Sequence, residues 1–233
     1  SHFGQKLLQR SNTGVTPTEA GRELYRHAQI ILKQFEQAQA DVRHSGRALS
    51  GQVSVGLAPG TAASVLALPL LKAVRGRHPD IVLYLNESLG STLIDQVMNG
   101  RMDMAVLYGG RNLVQGLRFE PLLTEELVLV APGAWLHGRH AVALAELRDV
   151  DLLLPRSHNY LRKYVDEAFA ALQMTPRVVA EIESAATLSA AVASQVGATV
   201  LPASAARAVA ASIQAHICRI ESPAIEVPLA LCS

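Results

Sequence analysis

Three short segments of this chain place hydroxyl, amide and imidazole groups where open α/β sheets bind small molecules. They follow predicted strands at 58–64 (APGTAAS), 155–159 (PRSHN) and 184–187 (SAAT). Each segment also precedes a predicted helix, whose first backbone N–H groups have no partner within the helix. Hydroxyls and free N–H groups at helix starts bind anions without a metal ion. The chemistry that these residues support is reversible binding of a small polar or anionic molecule.

The same hydroxyls have a purely structural alternative. Thr61, Ser157 and Ser184 could each cap the helix that follows, as most Ser and Thr residues in such positions do. His158 could be a solvated loop residue. The residues alone leave both interpretations open.

Signals for catalysis or a cofactor are weak. The eight histidines are scattered, with no H-E-x-x-H pair, and neither a G-x-S-x-G elbow nor a Gly-rich phosphate loop occurs. Glu181 and Glu183 alternate on a predicted strand and so share one face, but Ile182 between them suits an edge strand better than an acid–base pair. We therefore expect no enzyme activity, no metal and no cofactor.

Composition indicates a cytoplasmic protein without a membrane span. The chain is 49% hydrophobic and 18% charged, with a formal net charge of +1. No apolar run approaches the roughly twenty residues of a membrane helix, and no signal peptide opens the chain. Cys218 and Cys232 lie in no C-x-x-C spacing, which predicts reduced, partly buried thiols; a redox pair is the alternative.

The elements that must position these residues alternate between strand and helix. A β-α-β-α-β order predicts a mostly parallel sheet, and the same order recurs in the second half of the chain. Strands are predicted at 52–58, 81–86, 102–108, 122–131, 151–155, 177–182, 199–201, 217–220 and 225–231, and helices at 65–75, 91–98, 160–172, 187–195 and 203–211.

A long helix is predicted ahead of these elements. Thr16 and Glu19 have the spacing of a capping box, and Pro17 then occupies the first helical position. Thr18 is the alternative cap, and Ser45 with Gly46 marks the predicted end.

Apolar residues on this helix recur at alternating steps of four and three. The mean spacing of 3.5 is that of a coiled-coil seam, so the helix should pair with a partner helix, most simply that of a second copy. The alternative is an amphipathic helix packed on its own domain. The predicted dimerisation residues are Leu24, Ala28, Ile31, Phe35, Ala38 and Val42.

Four motifs in order resemble those of LysR-type transcriptional regulators. Residues 4–21 resemble the junction between a winged helix-turn-helix and its linker helix, with Leu8 and Pro17 departing from the usual residues. The other three motifs are the effector-domain entry at 50–56 (SGQVSVG), the G-x-x-D-x-A strand at 99–106 and the G-x-x-x-LP turn at 196–202.

This resemblance implies a type 2 periplasmic-binding-protein-like effector domain of two α/β subdomains, preceded by a long dimerisation helix. Residues 1–15 would be the remnant of the wing and 16–46 the linker helix. Residues 50–125 with 225–233 would form subdomain I, and 126–223 would form subdomain II. The family pattern also leads us to expect a fragment that begins after the recognition helix and stops before subdomain I is complete.

The resemblance further implies partners and site residues. The three loops would converge on one cleft, and Arg10 in the wing would contact DNA. The partners would be DNA through an upstream domain, further copies in a homodimer or homotetramer, and a small polar or anionic effector. The effector contacts would come from Thr61, Ser64, Ser88, Tyr108, Ser157, His158 and Thr187.

Within the family, the runs at 58–64, 181–184 and 202–207 most resemble regulators of nitrogen assimilation genes. A transporter solute-binding protein with the same fold is the alternative function. The coiled-coil entry and the lack of a signal peptide favour the regulator.

Overall fold

A hairpin and a long helix lead into two lobes that share one strand. The computed structural model describes residues 3–12, 14–43, 49–58, 62–109, 116–136, 138–213 and 215–233. Strands β1 (Leu8–Ser11) and β2 (Gly14–Pro17) pair antiparallel, and helix α1 runs over Glu19–Arg43. The predicted helix end at 45–46 lies outside the described residues.

Thr18 caps α1, so the predicted capping box of Thr16 and Glu19 is wrong. Thr16 and Pro17 are held in the β1–β2 ladder opposite Gln9 and Leu8 and cannot begin a helix. The Thr18 hydroxyl accepts from the Gly21 N–H at 3.0 Å and donates to the Lys6 carbonyl at 2.7 Å.

One face of α1 contacts the first lobe. Arg101 Nη2 donates to the Tyr25 hydroxyl at 3.1 Å, and its guanidinium lies 5.9 Å from the Tyr25 ring centroid. Gly100, at φ +66°, lies against Ile30, where a Cβ would come within 3.1 Å of Ile30 Cγ1. Side-chain size at residue 100 is therefore limited by the helix.

The predicted seam lies on another face of α1, open to solvent. Ile31, Phe35 and Val42 are 66%, 61% and 77% exposed, and Ala38 is also exposed. Leu24 and Ala28, nearer the hairpin, are half-buried. The helix thus presents an unpaired apolar stripe along its second half.

The first lobe is built on a parallel sheet. Its elements are β3 (Gly51–Leu57), α2 (Ala62–Arg77), β4 (Ile81–Glu87), α3 (Gly90–Met98) and β5 (Met104–Tyr108). The strand order is β4-β3-β5, and the last strand, β12 (Glu226–Cys232), returns to pair antiparallel with β5.

The second lobe repeats the arrangement. Its elements are α4 (Gly133–Leu136), β7 (Ala141–Ala143), a 3-10 turn (Leu144–Leu147), β8 (Leu152–Leu154), α5 (Tyr160–Ala171), β9 (Val178–Glu181), α6 (Ala185–Ala193), β10 (Thr199–Pro202), α7 (Ala203–Ile213) and β11 (His216–Glu221). Helix α4, strand β7 and the 3-10 turn were not predicted, because they are too short to leave a periodic signal in the sequence.

Strand β6 (Phe119–Ala131) belongs to both lobes. Its residues 119–126 pair with β12, whereas 127–130 pair with β10 and 128–131 pair with β11, all antiparallel. The two lobes therefore meet on a continuous strand.

Two of the sequence motifs have a structural role. Asp103 Oδ2 accepts from the Ser54 N–H at 2.8 Å and from its hydroxyl at 2.6 Å, which ties the start of β5 to β3. In the later motif the buried Thr199 hydroxyl donates to the Leu153 carbonyl at 2.7 Å. Gly197 lies so close to the Asp151 carbonyl that a Cβ would be 2.8 Å from its oxygen.

Replacing Gly21 should separate the hairpin from the helix. A Cβ there would lie 1.9 Å from the Leu7 carbonyl oxygen, so Gly21→Ala should break the Thr18 N–H bond to Leu7. We expect a loss of about 1–3 kcal/mol in local stability, the usual effect of overpacking. Amide exchange at Thr18 measures it.

Gly76→Ala is the matched control. It lies in α2 with no atom within 4 Å of its added Cβ. Since Ala favours helix over Gly, this variant should be neutral or slightly stabilised. Equal exchange at Thr18 in both variants would contradict the close contact.

Candidate cleft between the lobes

A cavity of about 90 Å³ lies where the carboxyl ends of the strands of both lobes face each other. From the first lobe it is lined by Ala58 after β3, by Leu89 to Ser91 at the start of α3, and by Tyr108 at the end of β5. From the second lobe it is lined by the loop after β8, the first turns of α5, α6 and α7, and Glu183.

Two of the predicted effector residues line this cavity. Tyr108 is buried in its wall, and His158 lies at its exposed rim. Ser88, Ser157 and Thr187 do not line it: Ser157 and Thr187 are exposed, and Ser88 is half-buried, its N–H bonded to Leu57.

The remaining two predicted residues, Thr61 and the side chain of Ser64, lie outside the described residues. Ser184, whose alternative role was a cap, does cap α6, because its hydroxyl accepts from the Thr187 N–H at 3.3 Å.

Tyr160 bridges the two lobes at one side of the cavity. It is the first residue of α5, yet its ring lies on Gly90 of α3 and packs against the apolar core of the first lobe. A Cβ on Gly90 would come within 3.3 Å of Tyr160 Cδ2. Burial, followed by the charge of Asp95, raises the pKa of the Tyr160 phenol, which keeps it protonated at neutral pH.

Glu125, behind the cavity-lining Tyr108, joins three elements. This half-buried carboxylate on β6 accepts from the Tyr108 hydroxyl at 3.2 Å and from the Ser204 hydroxyl at 2.9 Å. The Ser204 N–H, in the first turn of α7, is 3.4 Å from the same oxygen. A carboxylate of the chain itself thus occupies the positive end of α7.

The start of α5 is held by a second carboxylate. Asn159 caps the helix by accepting from the Leu161 N–H at 3.0 Å, and its amide donates to Glu183 Oε2 at 3.4 Å. Glu183 Oε1 accepts from the Arg156 N–H at 3.1 Å. Strand β9 ends at Glu181, so Glu183 lies beyond the strand, contrary to the prediction that both carboxylates share its face.

Arg162 belongs to the cavity lining, and its Nε and Nη1 are hydrogen-bonded within the chain. It is 12% exposed, its Nε donates to Asp166 at 2.8 Å, and its Nη1 donates to the Pro155 carbonyl at 3.0 Å. Glu181 Oε1 lies 3.6 Å from Nη1. This guanidinium therefore has two acidic neighbours of its own.

Other chemistry finds no support among the described residues. They contain no group of three His, Cys, Asp or Glu side chains placed to hold a metal ion. Cys218 and Cys232 are free and buried, and burial raises the pKa of the Cys232 thiol to about 11. Within the described ranges no helix is long and apolar enough to cross a membrane.

Six residues in or beside the cleft were not among the predicted effector contacts: Glu125, Asn159, Tyr160, Arg162, Glu183 and Ser204. Asn159 was recognisable as a polar residue directly before a periodic helix, which is a capping signal. Glu125 and Ser204 are 79 positions apart, and no local pattern connects them.

Comparison with known proteins agrees with this geometry. Residues 46–233 match the family described as the LysR substrate binding domain. The chain is 46% identical over 231 residues to the nitrogen assimilation regulatory protein Nac of Klebsiella aerogenes, an alignment that covers 97% of this chain and 73% of the relative. Nac of Escherichia coli strain K12 is also 46% identical, covering 98% and 74%.

A solved structure has the same fold at low identity. Full-length OxyR from Pseudomonas aeruginosa superposes with a TM-score of 0.75 at 23% identity, covering 99% of this chain and 75% of that one. The predicted two-lobed, periplasmic-binding-protein-like α/β fold is confirmed.

Removing the Ser204 hydroxyl should weaken the wall of the cleft. Hydrogen bonds to charged groups contribute about 1.5–3 kcal/mol, and Ser204→Ala leaves the backbone N–H in place, so we expect a loss of about 1–2 kcal/mol in the free energy of unfolding by urea. If Glu125→Gln in the same chain abolishes most of the effect, the two residues are coupled.

Ser212→Ala in the same helix is the control. Its exposed hydroxyl donates only to the Val209 carbonyl of its own helix, at 2.7 Å. This variant should stay within about 0.5 kcal/mol of the parent. If Ser204→Ala lowers the free energy of unfolding no more than this control does, the Ser204 hydroxyl does not hold Glu125.

Proposed function

Because this chain belongs to the LysR family of transcriptional regulators, we propose that it is the dimerising and effector-sensing part of a regulator of nitrogen assimilation genes. The observation that carries the proposal is the 46% identity to Nac over nearly the whole chain. The protein would act in the cytoplasm, by binding rather than by catalysis.

The proposed domain boundaries follow the fold. Residues 1–15 would complete the wing of a DNA-binding domain, and 16–46 would form the linker helix. Residues 50–125 with 225–233 would be the first effector subdomain, and 126–223 the second. The pairing of β12 with β5 supports the return of the chain to the first subdomain.

The proposed dimer uses the exposed stripe of α1. Phe35, Ala38, Gln39 and Val42 surround a shallow depression on that helix. An apolar stripe of this kind is stable in water when a second helix covers it. Leu24, Ala28 and Ile31 would continue the seam toward the hairpin, in a homodimer or a homotetramer.

DNA contact is proposed for the exposed hairpin. Arg10 lies in β1 opposite Val15, with its side chain in solvent. A guanidinium on a β-hairpin can reach a phosphate or the minor groove without entering the core.

Effector binding is proposed for the cleft. Tyr108 and His158 line the cavity. Thr61, Ser64, Ser88, Ser157 and Thr187 are further contacts proposed from the sequence. A small polar or anionic molecule that binds the closed form more tightly than the open form would shift the equilibrium toward the closed form. The size of the shift is set by the difference between the two affinities.

Charges placed on the stripe should separate the dimer. Burial of an Ile or Phe side chain is worth about 1.5–3 kcal/mol, so the double variant Ile31→Glu, Phe35→Glu should dissociate at concentrations where the parent is dimeric. Analytical ultracentrifugation measures this.

Gln34→Glu is the control for this experiment. It adds a charge in the same turn, at an exposed residue outside the stripe. A parent chain that is monomeric at tens of micromolar, or a control that dissociates as strongly as the double variant, would contradict the proposed seam.

Loss of Arg10 should weaken DNA binding uniformly across sequences. In a protein that carries a complete DNA-binding domain before β1, Arg10→Ala should reduce the salt dependence of binding by about one counterion for each phosphate that the arginine neutralises. Binding to operator DNA from nitrogen assimilation promoters is measured by fluorescence anisotropy at several salt concentrations.

Arg118→Ala is the matched control for Arg10→Ala. Arg118 is an exposed arginine of the first lobe, paired with Glu120, so its loss alters net charge equally. If the two variants bind with the same affinity and salt slope, Arg10 makes no DNA contact. Failure of the parent protein to bind any such operator would contradict the proposed regulon.

A further inference from the structure

At three of the four helix starts around the cleft, a side chain already accepts from a backbone N–H group. Glu125 accepts from Ser204 in the first turn of α7. Ser184 occupies the Thr187 N–H of α6, and Asn159 occupies the Leu161 N–H of α5. At these three starts an anionic ligand would compete with a group of the protein, whereas the start of α3 has no side-chain cap.

Glu183 is the carboxylate that faces the cavity. Its two oxygens are held by the Arg156 N–H and the Asn159 amide, both from the loop after β8. The residue is half-buried and belongs to the cavity lining. A carboxylate fixed in this way keeps lone pairs for a ligand at a defined position.

The formal charges among the lining residues are those of Arg162 and Glu183. The guanidinium of Arg162 already has Asp166 and Glu181 within 2.8 and 3.6 Å. Glu183 accepts from N–H groups of Arg156 and Asn159 that carry no formal charge. Its negative charge would attract a cation at close range.

The size and the remaining lining limit the ligand further. The cavity of about 90 Å³ is smaller than the roughly 150 Å³ cavity known to bind benzene. Its apolar walls include Leu89, Leu107, Leu154, Leu188 and Leu201. A short aliphatic body of a few carbon atoms would fit among these side chains.

We propose that the cleft takes a small aliphatic molecule with a protonated nitrogen, whose ammonium group binds Glu183 while its carbon chain lies among the leucines. This inference rests on the proposed effector cleft and narrows its ligand class. Glu183 is the counter-ion that selects for the cation, and Tyr108 and His158 complete the wall.

A pair of probes of similar size and opposite charge tests the proposal. The chain, labelled with ¹⁵N, is titrated with n-propylammonium chloride and, separately, with sodium propionate at equal ionic strength. We expect saturable amide shifts at Arg156, Glu183 and Leu188 with the ammonium ion, and at least tenfold weaker binding of the carboxylate. Equal or stronger binding of propionate, or no cleft shifts with either probe, would overturn it.

A variant at Glu183 identifies the counter-ion. Glu183→Gln retains the shape and can still accept from the Arg156 N–H, but it removes the charge. Affinity for propylammonium should fall at least tenfold, whereas Glu167→Gln, an exposed change on α5, should leave it unaltered. Unchanged binding in Glu183→Gln would place the ammonium group elsewhere.

The comparison of the two probes on the parent chain tests the ligand class even if Glu183→Gln folds poorly. Dimerisation and operator binding are measured on the unliganded protein and do not depend on the ligand class. A protein that dimerises and binds its operator but takes neither probe would contradict the ligand class alone. One that takes propylammonium but binds no operator would contradict the regulator and leave the ligand class standing.

Discussion

The sharing of β6 by both lobes is the constraint on which the rest of the fold depends. Its first eight residues complete the first lobe through β12, and its last residues carry the two strands β10 and β11 that form the centre of the second. Leu127 to Val130 are almost fully buried. Its pairing partners change near residues 125–127. Glu125 lies at this point, and it binds one group from each side.

Side chains of the protein occupy part of the anion-binding groups around the cleft. Helix starts point into it from α3, α5, α6 and α7, which would ordinarily favour a negative ligand. In this chain Glu125 and Glu183 lie beside two of those starts, and serine or asparagine side chains cap two. Side chains therefore offset the ends of α5, α6 and α7, whereas the start of α3 has no side-chain cap. Tyr160, on Gly90, brings the two lobes into contact at the same place.

Much of this fold could be predicted from local patterns, and the exceptions have physical causes. Strand β5 is a continuous apolar run, as strands buried on both faces are, and β10 is buried throughout, whereas β4 mostly alternates between half-buried and exposed residues. Thr16 and Thr18 are both competent caps, and pairing of Thr16 with Gln9 in the hairpin, which no spacing reveals, decides between them. Tyr108 was predicted because it ends a strand, whereas Glu125, Arg162 and Glu183 were missed because their roles depend on partners brought together by the fold. Hydroxyls at strand ends predicted caps better than ligand contacts, as Ser184 shows.

The joint between hairpin and helix has a mechanical consequence. Gly21 lies directly against the Leu7 carbonyl, and Thr18 bonds to both Lys6 and Gly21, so β1–β2 and α1 must turn as one body. Arg101 and Gly100 contact α1 at Tyr25 and Ile30, so the start of the helix at Glu19 lies within about 16 Å of these contacts at 1.5 Å per residue. A tilt of about ten degrees at these contacts would displace the hairpin by about 3 Å. A small rotation of the first lobe against α1 would thus be passed on to the hairpin as a whole.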